Sequence, residues 1–245
     1  MKHWSVQYGS DSLQTAEIYS PGSAKPTPIV VFFHGGSWKA GSNRRYRFVG
    51  RALAHMGYVA VLPNYRLYPE VKFPTFLEDS ATAVKWAVDH SSDIGGDPHQ
   101  IFLMGHSAGA YNAAALAIEP KFLKSAGVNF SAIRGWIGLS GPYDFYPRPD
   151  LRGIFPLSGP KSGWNPVDMA KDISKPALLI HGRLDPIVDY RNSVSMGRRL
   201  GNHANMILYP HLEHFSTVGA LSPGLDWIVS VRHKIREFLS QNSSN

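Results

Sequence analysis

Short apolar runs alternate with longer amphipathic segments along this chain. Pro28–Phe33, Tyr58–Leu62, Ile101–Met104, Trp136–Leu139, Ala177–Ile180 and Met206–Tyr209 are almost continuously apolar. A strand wetted on one face alternates polar and apolar residues, whereas one covered on both faces does not. These runs therefore read as buried strands, and Gln14–Tyr19 reads as an antiparallel edge strand. Helical patterns fill the gaps. Arg44–Met56 stops at Gly57, and Phe76–His90 gathers Ala83, Val84, Ala87 and Val88 on one stripe. Ala108–Ile118 is small and apolar, Asp189–Leu200 stops at Gly201, and Leu225–Leu239 closes the pattern. Strands alternating with helices predict an α/β fold: a doubly wound, mostly parallel sheet with helices on both faces. At 245 residues the chain suits one domain, spanning 1–245. Gly141–Pro166, rich in Pro and Gly, is its one irregular insertion. It follows a strand, so it is expected over the carboxyl edge of the sheet, where open α/β sheets bind ligands.

Composition narrows the chemistry. With no cysteine there is no thiol nucleophile, disulfide framework or cysteine metal site. The reading is of a site without metal or cofactor. The first residues lack the apolar core of a signal peptide, and no run approaches the roughly 18 apolar residues of a membrane span. The expectation is a cytoplasmic protein with no membrane partner. The formal charge of +7 includes a cluster at Arg44, Arg45, Arg47 and Arg51. That cluster falls on one predicted helix without a nucleic-acid motif, so no nucleic-acid partner is predicted.

Gly105-His106-Ser107-Ala108-Gly109 fits G-x-S-x-G between a predicted strand and a predicted helix. A serine on so tight a turn exposes its hydroxyl, and glycines two residues either side keep the neighbouring backbone clear. The helix start also favours developing negative charge. A serine hydroxyl needs a histidine to accept its proton and an acid to orient that histidine. Asp185, in the loop after Ala177–Ile180, is the candidate acid. Asp189 looks like a helix cap, and Asp172 precedes the strand. His214, after Met206–Tyr209, is the candidate base, with His211 as the alternative. His106 points away from the chemistry by backbone direction. His34-Gly35-Gly36-Ser37-Trp38 follows an early strand, as a loop supplying oxyanion donors should. The expected donors are the amides of Gly36, Ser37 and Ala108, with Gly35 possible and His34 bracing the loop.

On these motifs the chain resembles the α/β-hydrolase superfamily. Among its HGGxW members it is similar to carboxylesterases related to the hormone-sensitive-lipase group, and to kynurenine formamidases. The resemblance also rests on Asn64–Glu70, Gly96-Asp97-Pro98, Ser140–Asp144 and His181–Asp185. Ser37 stands where many members have a third glycine, a change that keeps the backbone donor. The long N-terminal cap of the lipase-like relatives has no counterpart here. The resemblance implies an α/β-hydrolase fold with a minimal cap and an open pocket for small acyl groups. It makes Trp38, Tyr65, Tyr143 and Phe145 candidate substrate-binding residues, with Phe155 a further one. The reaction implied is cleavage of short-chain acyl or aryl esters through an acyl-enzyme on Ser107. The alternative is an arylformamidase acting on N-formylkynurenine. Acetyl-xylan or feruloyl ester cleavage and a non-catalytic binding module rank below both. The partner is a small ester or formamide; a dimer through an edge strand is possible, and the sequence does not fix the oligomeric state.

Overall fold

A computed structural model of the chain describes residues 1–157, 163–171, 175–225 and 230–243. Its centre is an eight-stranded sheet. In chain order the strands are β1 (Lys2–Gln7), β2 (Thr15–Ser20), β3 (Thr27–Phe33), β4 (Val59–Pro63), β5 (Gly96–His106), β6 (Ile133–Leu139), β7 (Ala177–Gly182) and β8 (Ala204–Tyr209). They lie in the order β1-β2-β4-β3-β5-β6-β7-β8. The β1–β2 and β2–β4 pairs are antiparallel, and β4 through β8 run parallel.

The near-continuous apolar runs have a direct cause: successive side chains enter two separate cores. Ile29, Val31 and Phe33 of β3 enter one core, whereas Val30 and Phe32 enter the other; Leu103 and Met104 of β5 divide the same way. The first core is closed by α2 (Thr75–Asp89), α4 (Ala108–Ile118), α5 (Lys121–Ser125), α6 (Pro166–Met169) and α7 (Arg191–Leu200). α3 (Ser91–Ile94) leads into β5 and adds Ile94. The second core is closed by α1 (Arg47–His55), α8 (Ser216–Gly219) and α9 (Val231–Asn242). The residues of α4 from Ala108 through Ala117 are all buried, which explains the small, apolar composition of that segment.

Three boundaries differ from the sequence expectation. β2 is not the edge, because β1 pairs outside it with Trp4 opposite Ile18. Residues 43–46 form a tight 3-10 turn, so the basic cluster is split between that turn and α1. α9 runs from Val231 to Asn242, and the start expected near Leu225 adjoins residues 226–229, outside the described residues. Asp172 and part of the 141–166 insertion also lie outside them. Among the described residues, no helix is long and apolar enough to cross a membrane.

Candidate active site

The carboxyl ends of β3, β5, β6, β7 and β8 converge on one edge, where the sequence candidates meet. β5 ends at His106 and α4 begins at Ala108, so Ser107 alone makes the turn. It does so at φ 55° and ψ −122°, a left-handed conformation that costs a non-glycine residue energy. The flanking glycines are sterically required. A Cβ on Gly105 would lie 2.1 Å from the Gly109 carbonyl oxygen, and one on Gly109 would lie 2.0 Å from that of Phe33. The elbow is thus wedged between its own helix and the neighbouring strand.

Asp185 and His214 meet. The His214 Nδ1 donates to Asp185 Oδ2 at 2.7 Å, and neither side chain is appreciably exposed. Asp185 Oδ1 accepts the amides of Ile187 and Val188, each at 2.9 Å. Burial pushes the Asp185 carboxyl up, but hydrogen bonds from His181, His214 and the Val188 amide outweigh it and hold it well below the usual carboxylate range. His211 is exposed. Asp189 is exposed and bonded to Arg191, through its side chain and through the amide near the start of α7. Ser107 and His214 line the same cavity. No hydrogen bond joins their side chains, a gap that general bases often close only when the reacting group binds.

The loop after β3 is held in a compressed turn. The Gly36 carbonyl accepts the amides of Lys39 and Ala40, both at 3.0 Å. Gly36 sits at φ 134°, where a Cβ would lie 1.9 Å from the Ala40 oxygen, and Ser37 and Trp38 follow at φ 55° and 57°. Among the described residues, the Gly36, Ser37 and Ala108 amides donate to no protein acceptor. The Gly35 amide is different: it donates to the Tyr46 hydroxyl at 3.2 Å and is occupied.

That bond opens a network the sequence did not reveal. The Tyr46 oxygen already accepts from Gly35, and its proton goes to His106 Nδ1 at 2.9 Å. His106 Nε2 must then carry hydrogen, because its partner at 3.0 Å is the His214 carbonyl. The same carbonyl accepts the Thr217 hydroxyl at 3.0 Å, and Thr217 in turn accepts from Ser140. Two donors, one from the end of β5 and one from α8, therefore pin the backbone of His214. Burial first, then the nearby His214, pushes His106 down to about 3, so it works as a neutral ring. Burial likewise lowers His34 to about 4. His34 stacks on Tyr65 with centroids 4.4 Å apart, and the Tyr65 hydroxyl donates to the His34 carbonyl at 2.7 Å. Next to Tyr65, Arg66 forms a paired contact with the buried Asp79, which anchors this brace. On the far side of Asp185, His181 Nε2 donates to Val188 O at 3.0 Å and to Asp185 Oδ2 at 3.1 Å, and its Nδ1 accepts from Ser193.

Two cavities meet at Ser107. One, of about 160 Å3, is walled by Trp38, Ala108, Phe145, Leu151 and Val188. The other, of about 480 Å3, is walled by Arg45, Phe48, His214, Phe215 and Val218. Ser37 and Ile187 also border both. The expected pocket residues therefore divide. Trp38 and Phe145 line the smaller cavity, whereas Tyr65 and Tyr143 do not line either. Tyr65 is fully buried behind His34, and Tyr143 packs edge-on against Trp136 in the core. Phe155 supports Trp38 from behind, edge-on at 4.9 Å. The insertion supplies Pro142, Tyr146, Arg148 and Leu151 as well as Phe145 to the smaller cavity. Asn192 ties it to α7 by accepting the Tyr143 and Asp144 amides. Among the described residues, no group of three or more His, Asp or Glu side chains is arranged to hold a metal.

Comparison with known proteins agrees with this architecture. A family model described as alpha/beta hydrolase fold matches residues 30–149. A probable isoprenylcysteine alpha-carbonyl methylesterase of Oryza sativa subsp. japonica is 30% identical over 86% of this chain and 57% of its own length. Carboxylesterase NlhH of Mycobacterium tuberculosis is 38% identical over 37% of this chain and 28% of its own. Among solved structures, esterase 2 of Thermogutta terrifontis superposes with a TM-score of 0.82 at 21% identity, covering 98% of this chain and 94% of that one. The chain spans between 50% and 61% of the length of three plant methylesterases that it matches over 86% or more of its own length. These relatives are named as esterases, and the formamidase alternative finds no support in them.

Proposed function

The chain is an α/β hydrolase by fold, and from that premise we propose that it is a carboxylic ester hydrolase working through an acyl-enzyme on Ser107. The observation that carries this reading is the convergence of a strained Ser107, the Asp185–His214 bond and unoccupied amides on one cavity. His214 takes the Ser107 proton as Oγ attacks the ester carbonyl. The carbonyl oxygen gains negative charge and is met by the amides of Gly36, Ser37 and Ala108. Asp185, held ionised, keeps His214 in the Nδ1–H tautomer and stabilises the imidazolium. His214 then returns the proton to the departing alkoxide, leaving the acyl group on Ser107. Water, activated by the same histidine, hydrolyses that ester and frees the acid.

Because the proton passes from His214 to the leaving oxygen, the leaving group belongs on the His214 side, in the larger cavity. The acyl chain then lies over Ala108 in the smaller one. A volume of 160 Å3 is close to that of an engineered cavity that holds benzene, so it suits acyl chains of about two to six carbons. The named relatives favour an ester over a formamide substrate.

The test is hydrolysis of p-nitrophenyl acetate and butyrate, with Ser107→Ala, His214→Ala and His211→Ala alongside. Ser107→Ala and His214→Ala should each lower kcat by about 10³-fold or more, and His211→Ala should not. Paraoxon, which phosphorylates the Thermogutta esterase, should block the wild type and leave its adduct on the peptide containing Ser107. Full turnover by Ser107→Ala, or an adduct elsewhere, overturns the assignment.

A further inference from the structure

The two cavities differ in charge. In the smaller, Arg148 lies 3.6 Å from Asp150, and Asp189 pairs with Arg191 at 2.9 Å, so each formal charge on the wall is answered nearby. In the larger, Arg45 is the sole arginine or lysine, and no aspartate or glutamate lines that wall among the described residues. Of the two histidines there, His106 is held neutral by burial, and His214 is bonded to Asp185. The other lining residues are glycines, alanine, serines, aromatic rings and aliphatic side chains.

Of the basic cluster Arg44, Arg45, Arg47 and Arg51, Arg45 is the member that lines the larger cavity. Arg47 reaches Glu17 and Arg66 reaches Asp79, but among the described residues no carboxylate comes within ion-pair distance of the Arg45 guanidinium. The tight 3-10 turn at 43–46 places Arg45 beside Tyr46, whose hydroxyl belongs to the network under the site. Arg45 lines the same cavity as Gly35, Gly36, Ser37 and Ser107, and its positive charge acts to lower both Tyr46 and His34.

We propose that Arg45 is a specificity-determining residue that selects esters whose leaving alcohol or phenol carries a carboxylate. This rests on the reading of the site as an ester hydrolase with the leaving group in the larger cavity. Phe48, Phe215 and Val218 take the apolar body of such a leaving group. The planar guanidinium, with no carboxylate partner among the described residues, takes its anionic end. Binding there acts on kcat/KM, because the charge stays on the leaving group before and after the carbonyl is attacked.

The experiment compares 4-acetoxybenzoate with its neutral counterpart 4-acetoxybenzamide, which differ at the charged end and share the acetyl group. The readout is the ratio of their kcat/KM values, corrected for the difference measured in hydroxide-catalysed hydrolysis. In the wild type the ratio should favour the anion by about fivefold at low salt, the upper range for an exposed ion pair, and should shrink as NaCl is added. Arg45→Gln should bring the ratio to about one and remove its salt dependence, whereas Arg45→Lys should retain part of both. A ratio unchanged in Arg45→Gln overturns the proposal. If instead the wild type cleaves neither ester faster than Ser107→Ala does, the ester-hydrolase reading itself fails, so the two failures are distinguishable.

Discussion

Replacing Ser107 by glycine should make the protein more stable than replacing it by alanine, although both variants lose the proposed nucleophile. Ser107 sits at φ 55°, ψ −122°, between β5 and α4. A residue with a Cβ pays about 1–3 kcal/mol for such a conformation, and alanine bears that cost as serine does. Glycine escapes it but gives up about 0.5–1 kcal/mol of extra chain entropy on folding. The difference leaves Ser107→Gly ahead by roughly 0.5–2 kcal/mol. No hydrogen bond from the Ser107 hydroxyl to a described residue is lost in either variant. For a chain of this size each kcal/mol moves Tm by about 2–4 °C, so glycine should melt roughly 1–8 °C above alanine. Thermal unfolding followed by circular dichroism, at matched pH and scan rate, reads the difference. If Ser107→Gly melts at or below Ser107→Ala, the elbow stores no strain and the argument from its dihedral angles is wrong.

The buried histidines set an acid limit on stability. His34 and His106 are pushed from 6.5 to about 4 and about 3, so below pH 6.5 the unfolded chain binds protons that the folded one refuses. Their stabilisation is fully present above pH 6.5 and fades as pH falls, by roughly 4 kcal/mol between pH 7 and 5 for the pair. Asp185 adds to the loss only below its unfolded value of 3.8, as the carboxylate protonates. Urea unfolding at pH 7 and pH 5 should show this drop, and equal midpoints with equal slopes would contradict it. Tyr46→Phe removes the hydroxyl that joins Gly35 to His106, stranding a buried donor and a buried acceptor, so it should cost about 2–4 kcal/mol by urea unfolding. It should also lower kcat more than it changes KM, because it loosens the loops carrying the amides and His214; wild-type stability and kcat in this variant would refute the link.

The sheet was legible because its strands are covered on both faces, which leaves a continuous apolar signature in β3 through β7. β1 escaped for the opposite reason: Lys2–Gln7 is an exposed edge whose Trp4 and Val6 alternate with polar residues. The candidate elbow, acid and base were legible as positions in a strand-loop-helix order, since each follows a strand end. Side-chain direction was not. Tyr65 and Tyr143 fall within loops of the right edge, yet Tyr65 turns inward to brace His34 and Tyr143 sinks against Trp136. Aromatic residues near a site look alike in sequence whether they face the cavity or support it. The contributions of Tyr46 and Asn192 were equally hidden, because their partners lie 60 and 49 residues away in the chain.

The network also revises the standing of the variable residue before Ser107. In G-x-S-x-G the residue before serine has no direct part in the chemistry, and backbone direction turns His106 away from the reacting atoms. Its ring nonetheless spans the site from beneath, accepting from Tyr46 and donating to the His214 backbone. Tyr46 in turn holds the amide of Gly35, one residue from the proposed oxyanion donor Gly36. The strained loop after β3, the elbow after β5 and the histidine loop after β8 are thus joined by a chain of buried hydrogen bonds whose proton positions are fixed by their carbonyl and amide ends. A side chain at 106 able to accept on one side and donate on the other is what that chain requires. Neutral histidine meets the requirement, and burial holds the His106 ring neutral well below the usual imidazole range.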